Sequence, residues 1–412
     1  MKSSSTAFII GVIFIILTDT VFYLQHRKLI KKRWLLSLHV FQTLFFITSI
    51  LLLHFSISKI KDPESYFWIG KLFGVVTLFY VPKLLYIFIK SIGNCFKKSA
   101  PKIFYTLRFI AGSIMVLSFI FLLYGITWGR YNYKVDKVMV PINNLPHNFE
   151  NFKIVQLSDI HLGSYGKSYK GIELLVHKVN SLQPDLIVFT GDMVNNFADE
   201  MHYWIPILKQ LKAPYGKYAV TGNHDYGDYV HWTNEAAKEY NLKRFYHNME
   251  TIDFKMLNNN HVPITRQGDT LWLAGVENWG KPPFPRYGDL QSALNGLNDQ
   301  QSIILLSHDP SHWRAEVLSS PISLMLSGHT HAMQSGIQIG QKEWSLAKYI
   351  YPEYDGLYQE GNRYLYVSRG QGYIGYPGRI GLRPVITILI LLSLPVNMPE
   401  VIPYSLKEYL PQ

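Results

Sequence analysis

Four long apolar segments fall within the first 130 residues, at about 7–24, 34–57, 66–89 and 103–128. At ~1.5 Å of rise per residue, a helix over each is long enough to cross the hydrocarbon layer of a bilayer. Only three acidic residues, Asp19, Asp62 and Glu64, accompany them. The first segment has the position of a secretory leader, but it lacks a small-residue cleavage site and three more spans follow it. Residues 1–130 are therefore expected to form a four-span, multi-pass anchor in the cell membrane. Asp19, Gln42 and His54 lie in or near the spans and are expected to be bundle-interior or interfacial groups.

The basic residues of the connecting loops set an orientation. The first loop carries Arg27, Lys28, Lys31, Lys32 and Arg33, and the third Lys90, Lys97, Lys98 and Lys102. The second holds only Lys59 and Lys61, offset by Asp62 and Glu64. Positive loops stay in the cytoplasm, so the remainder of the chain is expected outside it. The net charge of +11 follows the same division. Residues 1–130 hold 16 Lys+Arg against 3 Asp+Glu, whereas the other 282 residues have a net charge of −2. The larger part thus lacks the basic face of a nucleic-acid binder, and no nucleic-acid partner is expected. The single cysteine, Cys95, excludes an intrachain disulfide and an all-cysteine metal site.

Residues 131–150, with Pro141 and Pro146, are expected to be a linker or a first edge strand. From 151 to 393, short apolar runs alternate with helical patterns. Strands are expected at 152–157, 185–190, 218–221, 270–276, 302–307, 322–326, 363–367 and 385–392, the last central and buried. Helices are expected at 172–179, 201–211, 233–240 (capped by Thr233), 290–297 and 310–317. This pattern predicts an α/β domain on two packed sheets. Residues 394–412 are left as a tail.

Chemistry-bearing residues cluster where these strands end. Ser158-Asp159-Ile160-His161 follows the first strand and Gly191-Asp192 the second. Gly222-Asn223-His224-Asp225, then His308, then Gly328-His329-Thr330-His331 follow three others. Ligands gather at the carboxyl ends of strands in α/β sheets, and imidazole is the commonest metal ligand. Mixed Asp, His and Asn donors suit a first-row ion such as Mn, Fe or Zn better than Ca.

Taken in order, D-x-H, G-D, G-N-H-D, H and G-H-x-H, this pattern resembles the calcineurin-like metallophosphoesterase family over about 152–392. The resemblance implies a four-layer α/β/β/α sandwich and two divalent metal ions. Asp159, His161 and His331 would ligate one ion, Asn223, His308 and His329 the other, and Asp192 would bridge them. Two such ions clamp a phosphate for in-line displacement, with a bridging hydroxide as nucleophile. The resemblance also makes His224 the general acid for the leaving oxygen. In many relatives an Asp three residues after the bridging Asp orients that histidine. Asn195 stands here, and its neutral amide is expected to orient His224 while stabilising the imidazolium less. Asp225 is expected to hold its own loop.

Gly370-Gln371-Gly372-Tyr373-Ile374-Gly375 matches a dinucleotide fingerprint in letters, but Pro377 and Gly378 follow where a helix must start. It is expected to be a glycine loop at the cleft, with Arg369, Arg379 and Arg383 either meeting a phosphate or lying at the surface. Trp344, Tyr349, Tyr351, Tyr354 and Tyr358 follow the last motif. They are expected either to form a small core under a long loop or to meet acyl chains and the membrane interface. The sequence thus predicts a membrane-anchored phosphoesterase whose partners are membrane lipids and a phosphorylated, lipid-linked substrate. A UDP-2,3-diacylglucosamine-type pyrophosphate is one candidate, against which the extracytoplasmic orientation argues. Two alternatives stand beside this reading. One is a phosphoprotein or nucleotide phosphoesterase merely anchored by its spans. The other is a non-catalytic sensor or transporter accessory with a structural metal domain.

Overall fold

The computed structural model describes residues 5–28, 30, 32–57, 62–340 and 342–393; the expected tail at 394–412 lies outside them. The chain divides into two units. One runs to Gly129 and includes Gly375–Ile380; the other comprises Arg130–Ile374 and the chain from Gly381 on.

In the first unit the four apolar segments are α1 (Ser5–His26), α2 (Arg33–Ile57), α3 (Pro63–Cys95) and α4 (Pro101–Thr127). All four are long and apolar enough to cross a membrane. The third extends past both ends of its expected span. Pro63 opens it where no N–H is needed, and the Asp62 side chain accepts from Ser65 N–H at 2.8 Å. Asp19 is interior, as expected, but its partner was not visible in the sequence. Lys83 Nζ lies 2.6 Å from one carboxylate oxygen. Thr43 and Tyr80 donate to the other at 2.6 and 2.9 Å. The segment Gly375–Ile380 belongs with these helices because glycine lets it come close. A Cβ on Gly125 would sit 2.7 Å from the Arg379 carbonyl oxygen.

In the second unit the strands, in chain order, begin with β1 (Lys134–Ile142), β2 (Lys153–Leu157), β3 (Leu186–Phe189), β4 (Lys217–Ala219) and β5 (Phe254–Met256). Next come β6 (Asn260–Arg266), β7 (Asp269–Gly275), β8 (Ile303–Leu306), β9 (Leu324–Ser327) and β10 (Ile337–Ile339). The series ends with β11 (Lys342–Trp344), β12 (Gly356–Glu360), β13 (Arg363–Val367) and β14 (Val385–Ser393). The helices are α5 (Lys170–Ser181), α6 (Ile205–Leu208), α7 (Glu235–Thr251), α8 (Leu290–Ala293) and α9 (His312–Ala315).

Two six-stranded sheets result, ordered β1-β14-β2-β3-β4-β5 and β12-β13-β9-β8-β7-β6. Strand alternation divides the apolar residues between layers. Ile154, Leu186 and Val188 of the first sheet, with Val220 just past β4, meet Leu273, Ile304, Leu306 and Leu326 of the second in one core. Val155, Leu157, Ile187 and Phe189 point the other way, onto Ile172 and Leu175 of α5 and Phe245 and Met249 of α7. Ile303, Leu305 and Met325 likewise cover Leu290 and Trp313 on the far face. This is the expected four-layer α/β/β/α sandwich.

One open alternative is decided, and several helices change in detail. The linker at 131–150 contains an edge strand, β1, paired in parallel with β14 from Lys134 to Ile142. An edge position tolerates Pro141. The helix expected at 233–240 runs instead from Glu235 to Thr251, and Asn234, not Thr233, caps it by accepting from Ala237 N–H. Its buried residues, Asn241, Phe245 and Met249, form a stripe one side chain wide, too thin to register as amphipathic in the sequence. The helices expected at 201–211, 290–297 and 310–317 shrink to α6, α8 and α9, four residues each.

Candidate metal centre

Each motif occupies the turn just after a parallel strand. Asp159 and His161 follow β2, Asp192 follows β3, Asn223 and His224 follow β4, His308 follows β8, and His329 and His331 follow β9. Five of these residues, Asp159, His161, Asp192, His329 and His331, have left-handed backbone with φ between 50 and 73°. L-residues adopt that conformation rarely and at a cost. Here the turns are held in it by hydrogen bonds. His329 N–H donates to both oxygens of Asp159 at 3.0 and 3.1 Å, and His161 N–H donates to Asp192 O at 3.2 Å. Gly191 gives the turns room, since a Cβ there would stand 2.7 Å from His308 Nδ1.

The side chains converge in two overlapping sets. In the first, His161 Nε2 lies 3.1 Å from His331 Nε2, which lies 3.3 Å from Asp159 Oδ1. In the second, Asn223 Oδ1 lies 3.2 Å from His308 Nε2 and 2.9 Å from His329 Nδ1. Asp192 Oδ2 stands between the sets, 3.6 Å from His161 Nε2 and 3.2 Å from His308 Nε2. The groups Asp159, His161, His331 and Asp159, Asp192, His308 are each arranged so that one cation could be held among their donor atoms. All seven residues expected from the sequence are thus brought together.

The electrostatics favour a cation there. Burial pushes His161 down to about 3 and His329 to about 4, so both present neutral, lone-pair-bearing rings. Burial also pushes Asp159 up to about 7. It opposes the charge on Asp192 too, but the imidazoles of His308, His224 and His161 together hold that carboxyl well below the usual range. His308 is lifted to about 10 by Asp192 despite its burial. A positive charge is therefore stabilised between them, and a metal ion can take the proton's place.

A surrounding set of bonds fixes which atom each donor presents. His308 Nδ1 donates to Thr190 O at 2.7 Å, leaving Nε2 inward. Asn223 donates its amide to Tyr229 Oη at 2.8 Å, so Oδ1 faces the centre. His329 Nε2 meets Tyr351 Oη at 2.9 Å, so Nδ1 faces inward. The Phe284 ring packs edge-on against His329, 4.7 Å between centroids. Tyr229 and Phe284 carried no sequence signal, and Tyr351 stood out only as part of the aromatic cluster, because all three reach the centre from loops outside the motifs.

Asn195 requires a correction. Its side chain exchanges hydrogen bonds with Ser164 Oγ at 3.3–3.4 Å. The partner of His224 Nδ1 is instead the Asn195 backbone oxygen, at 2.8 Å. The residue orients the imidazole through its main chain, which any side chain at 195 leaves in place. Asp225 does more than hold its own loop. It accepts from Gly222, Asp192, Met193 and Val194 N–H at 2.8–3.2 Å, tying the Gly-Asp turn to the Gly-Asn-His-Asp turn. The glycine loop braces the first motif through its backbone. Gly372 N–H donates to Asp159 O at 2.9 Å, and Gln371 Oε1 accepts from Ser158 N–H at 2.8 Å. Arg369 is neither at the surface nor at a phosphate position; it is buried between Asp355 and Glu343. Arg379 is buried too, and Arg383 is bonded to Asn132.

The calcineurin-like phosphoesterase family model matches residues 152–333, the span of all five motifs. A metallophosphoesterase of Campylobacter jejuni, named as uncharacterized, is 30% identical over 378 residues, covering 89% of this chain and 93% of its own. The chain belongs to the calcineurin-like metallophosphoesterase family. That coverage takes in part of the helical region as well as the sandwich. The metallophosphoesterase YkuE of Bacillus subtilis is 32% identical over 259 residues, 60% of this chain and 82% of its own. A Bos taurus protein named transmembrane protein with metallophosphoesterase domain is 35% identical over 273 residues, 63% of this chain. The chain spans only 57% of that relative's length.

Proposed function

We propose that this metallophosphoesterase hydrolyses a phosphodiester or pyrophosphate bond at a dinuclear metal centre. The observation that carries the reading is the convergence of seven donors in two sets sharing Asp192. Asp159, His161 and His331 would hold one ion, Asn223, His308 and His329 the other, with Asp192 common to both. Bound ions such as Mn, Fe or Zn would neutralise charge on the phosphoryl oxygens and acidify water. The chain's own residues supply the rest. His224 Nδ1–H is anchored on a backbone carbonyl, so the ring is fixed and its Nε2 can deliver a proton to the leaving oxygen. Backbone bonds to Asp159 and Asp192 keep both carboxylates from swinging. Tyr351 and Tyr229 fix His329 and Asn223.

The substrate we favour is lipid-linked, because covalent attachment to four spans keeps the hydrolytic domain close to headgroups. The basic first and third loops support an extracytoplasmic domain. In that compartment a UDP-2,3-diacylglucosamine-type pyrophosphate, made on the cytoplasmic side, is disfavoured. The test is a screen of detergent-solubilised full-length protein with Mn against aryl mono- and diesters, nucleotides and lipid phosphates. Metal-dependent turnover, fastest on lipid phosphodiesters or pyrophosphates, is expected. Preference for soluble nucleotides or phosphoproteins would favour the merely anchored enzyme, and metal binding without turnover on any class would favour the non-catalytic reading.

A further inference from the structure

The aromatic cluster after the last motif divides into two groups with different surroundings. Tyr351 serves His329, and Tyr358 Oη accepts from Tyr354 N–H at 3.1 Å, inside the fold. Trp344 and Tyr349 face outward, in a segment with an unusual surface. Thirteen large apolar side chains of the second unit are exposed among the described residues, and seven of them fall between Met333 and Ile350. The rest are scattered singly, which is ordinary for a protein surface; this group is not.

The hairpin of β10 and β11 orders them. Its register pairs Ile337 with Trp344 and Ile339 with Lys342, so these four side chains share one face. Leu346, Tyr349 and Ile350 extend the exposed surface along the turn that follows, with Ile339 75% and Tyr349 74% exposed. A two-stranded hairpin with a bare apolar face is barely stable in water, and a patch of this kind marks an interaction surface. Its charges are one-sided. Lys342 and Lys348 are exposed, whereas Glu343 lies on the opposite face and is paired with Arg369. Aliphatic, Trp, Tyr and Lys side chains together are the composition of a membrane interface, and outward lysines complement anionic headgroups. The chain brings a bilayer with it, since α4 ends at Thr127 and the first strand begins at Lys134.

We propose that residues 337–350 insert into the interfacial layer of the membrane in which the four helices reside. The segment is rooted in the metal centre. Ser345 Oγ donates to Ala332 O and Thr330 Oγ1 to Tyr354 O, each at 2.6 Å. Insertion therefore fixes the His329–His331 turn at the bilayer surface. The proposal concerns where the chain is held and does not rest on the hydrolase reading.

The test uses full-length protein in vesicles of phosphatidylcholine with anionic phosphatidylglycerol. Cys95 is exposed, so the background is Cys95→Ser. An environment-sensitive fluorophore is placed by Ile339→Cys, by Leu346→Cys or, as a control on α7, by Lys243→Cys. Labels at 339 and 346 are expected to emit at shorter wavelength, to be quenched by nitroxide lipids and to be shielded from iodide; the control should show the reverse. Labels at 339 and 346 open to iodide would overturn the proposal. So would labels shielded from both quenchers, which would mean that a second copy or a protein partner covers the hairpin.

Discussion

His224 and Asn195 are joined through the main chain: the imidazole Nδ1 donates to the backbone oxygen of Asn195 at 2.8 Å, and the amide side chain is turned to Ser164. The orienting group of the proposed acid therefore survives any substitution at 195 that preserves the turn. Asn195→Ala is expected to change kcat by no more than about 3-fold, whereas His224→Ala should lower it by roughly 10²–10⁴-fold with the metal content unchanged. Asn195→Asp should likewise leave the pH–rate profile in place. Equal losses in the two alanine variants, measured on an aryl phosphodiester, would show that the side chain matters after all.

Asp225 gathers four backbone N–H groups from two turns. Asp225→Ala strands those donors in a buried site, at about 1–3 kcal/mol for each one left unpaired. A lower thermal midpoint together with loss of bound metal is the expected result, because the same turns carry Asp192 and Asn223. A variant with wild-type melting and metal content would remove Asp225 from this role.

Tyr351 Oη is the partner of His329 Nε2. Removing such a partner commonly weakens metal affinity by about 10–100-fold. Tyr351→Phe should thus need more Mn for half-activation yet recover most of its kcat at saturating metal. An unchanged metal titration would contradict the assignment.

How much of this could be read from the sequence depends on whether the signal is local. The seven donors were legible because each sits in a short motif at a strand end, and the four spans because each is a continuous run. Two packed sheets followed from short apolar runs alternating with helical patterns, and Ile154 and Val155 do enter different layers; the four-layer order was implied only by the family resemblance. What escaped was long-range or carried by the main chain. Tyr351 and Phe284 belong to no motif. Gln371 reaches Ser158 across 213 positions. The role at 195 falls to a carbonyl that every residue possesses, so the side chain there gave the wrong cue. The edge strand β1 was legible only as one of two alternatives, because Pro141 is compatible with a linker and with an edge position alike.

In the helical unit, Lys83 and Asp19 form a buried pair completed by Thr43 and Tyr80. Breaking such a pair from one side leaves a buried charge, at about 3–5 kcal/mol in soluble proteins. Lys83→Met is expected to lower the unfolding temperature in detergent, and the double variant Asp19→Leu, Lys83→Met to regain much of the loss. A single variant as stable as the wild type would mean that the pair does not brace the helices.

The seven donors are expected to act together on metal, and elemental analysis of purified full-length protein tests this most directly. After loading with Mn and removal of free metal, two ions per chain are expected for the wild type, with a marked loss in Asp192→Ala. Full turnover by protein carrying no stoichiometric metal, or undiminished metal in Asp192→Ala, would contradict it.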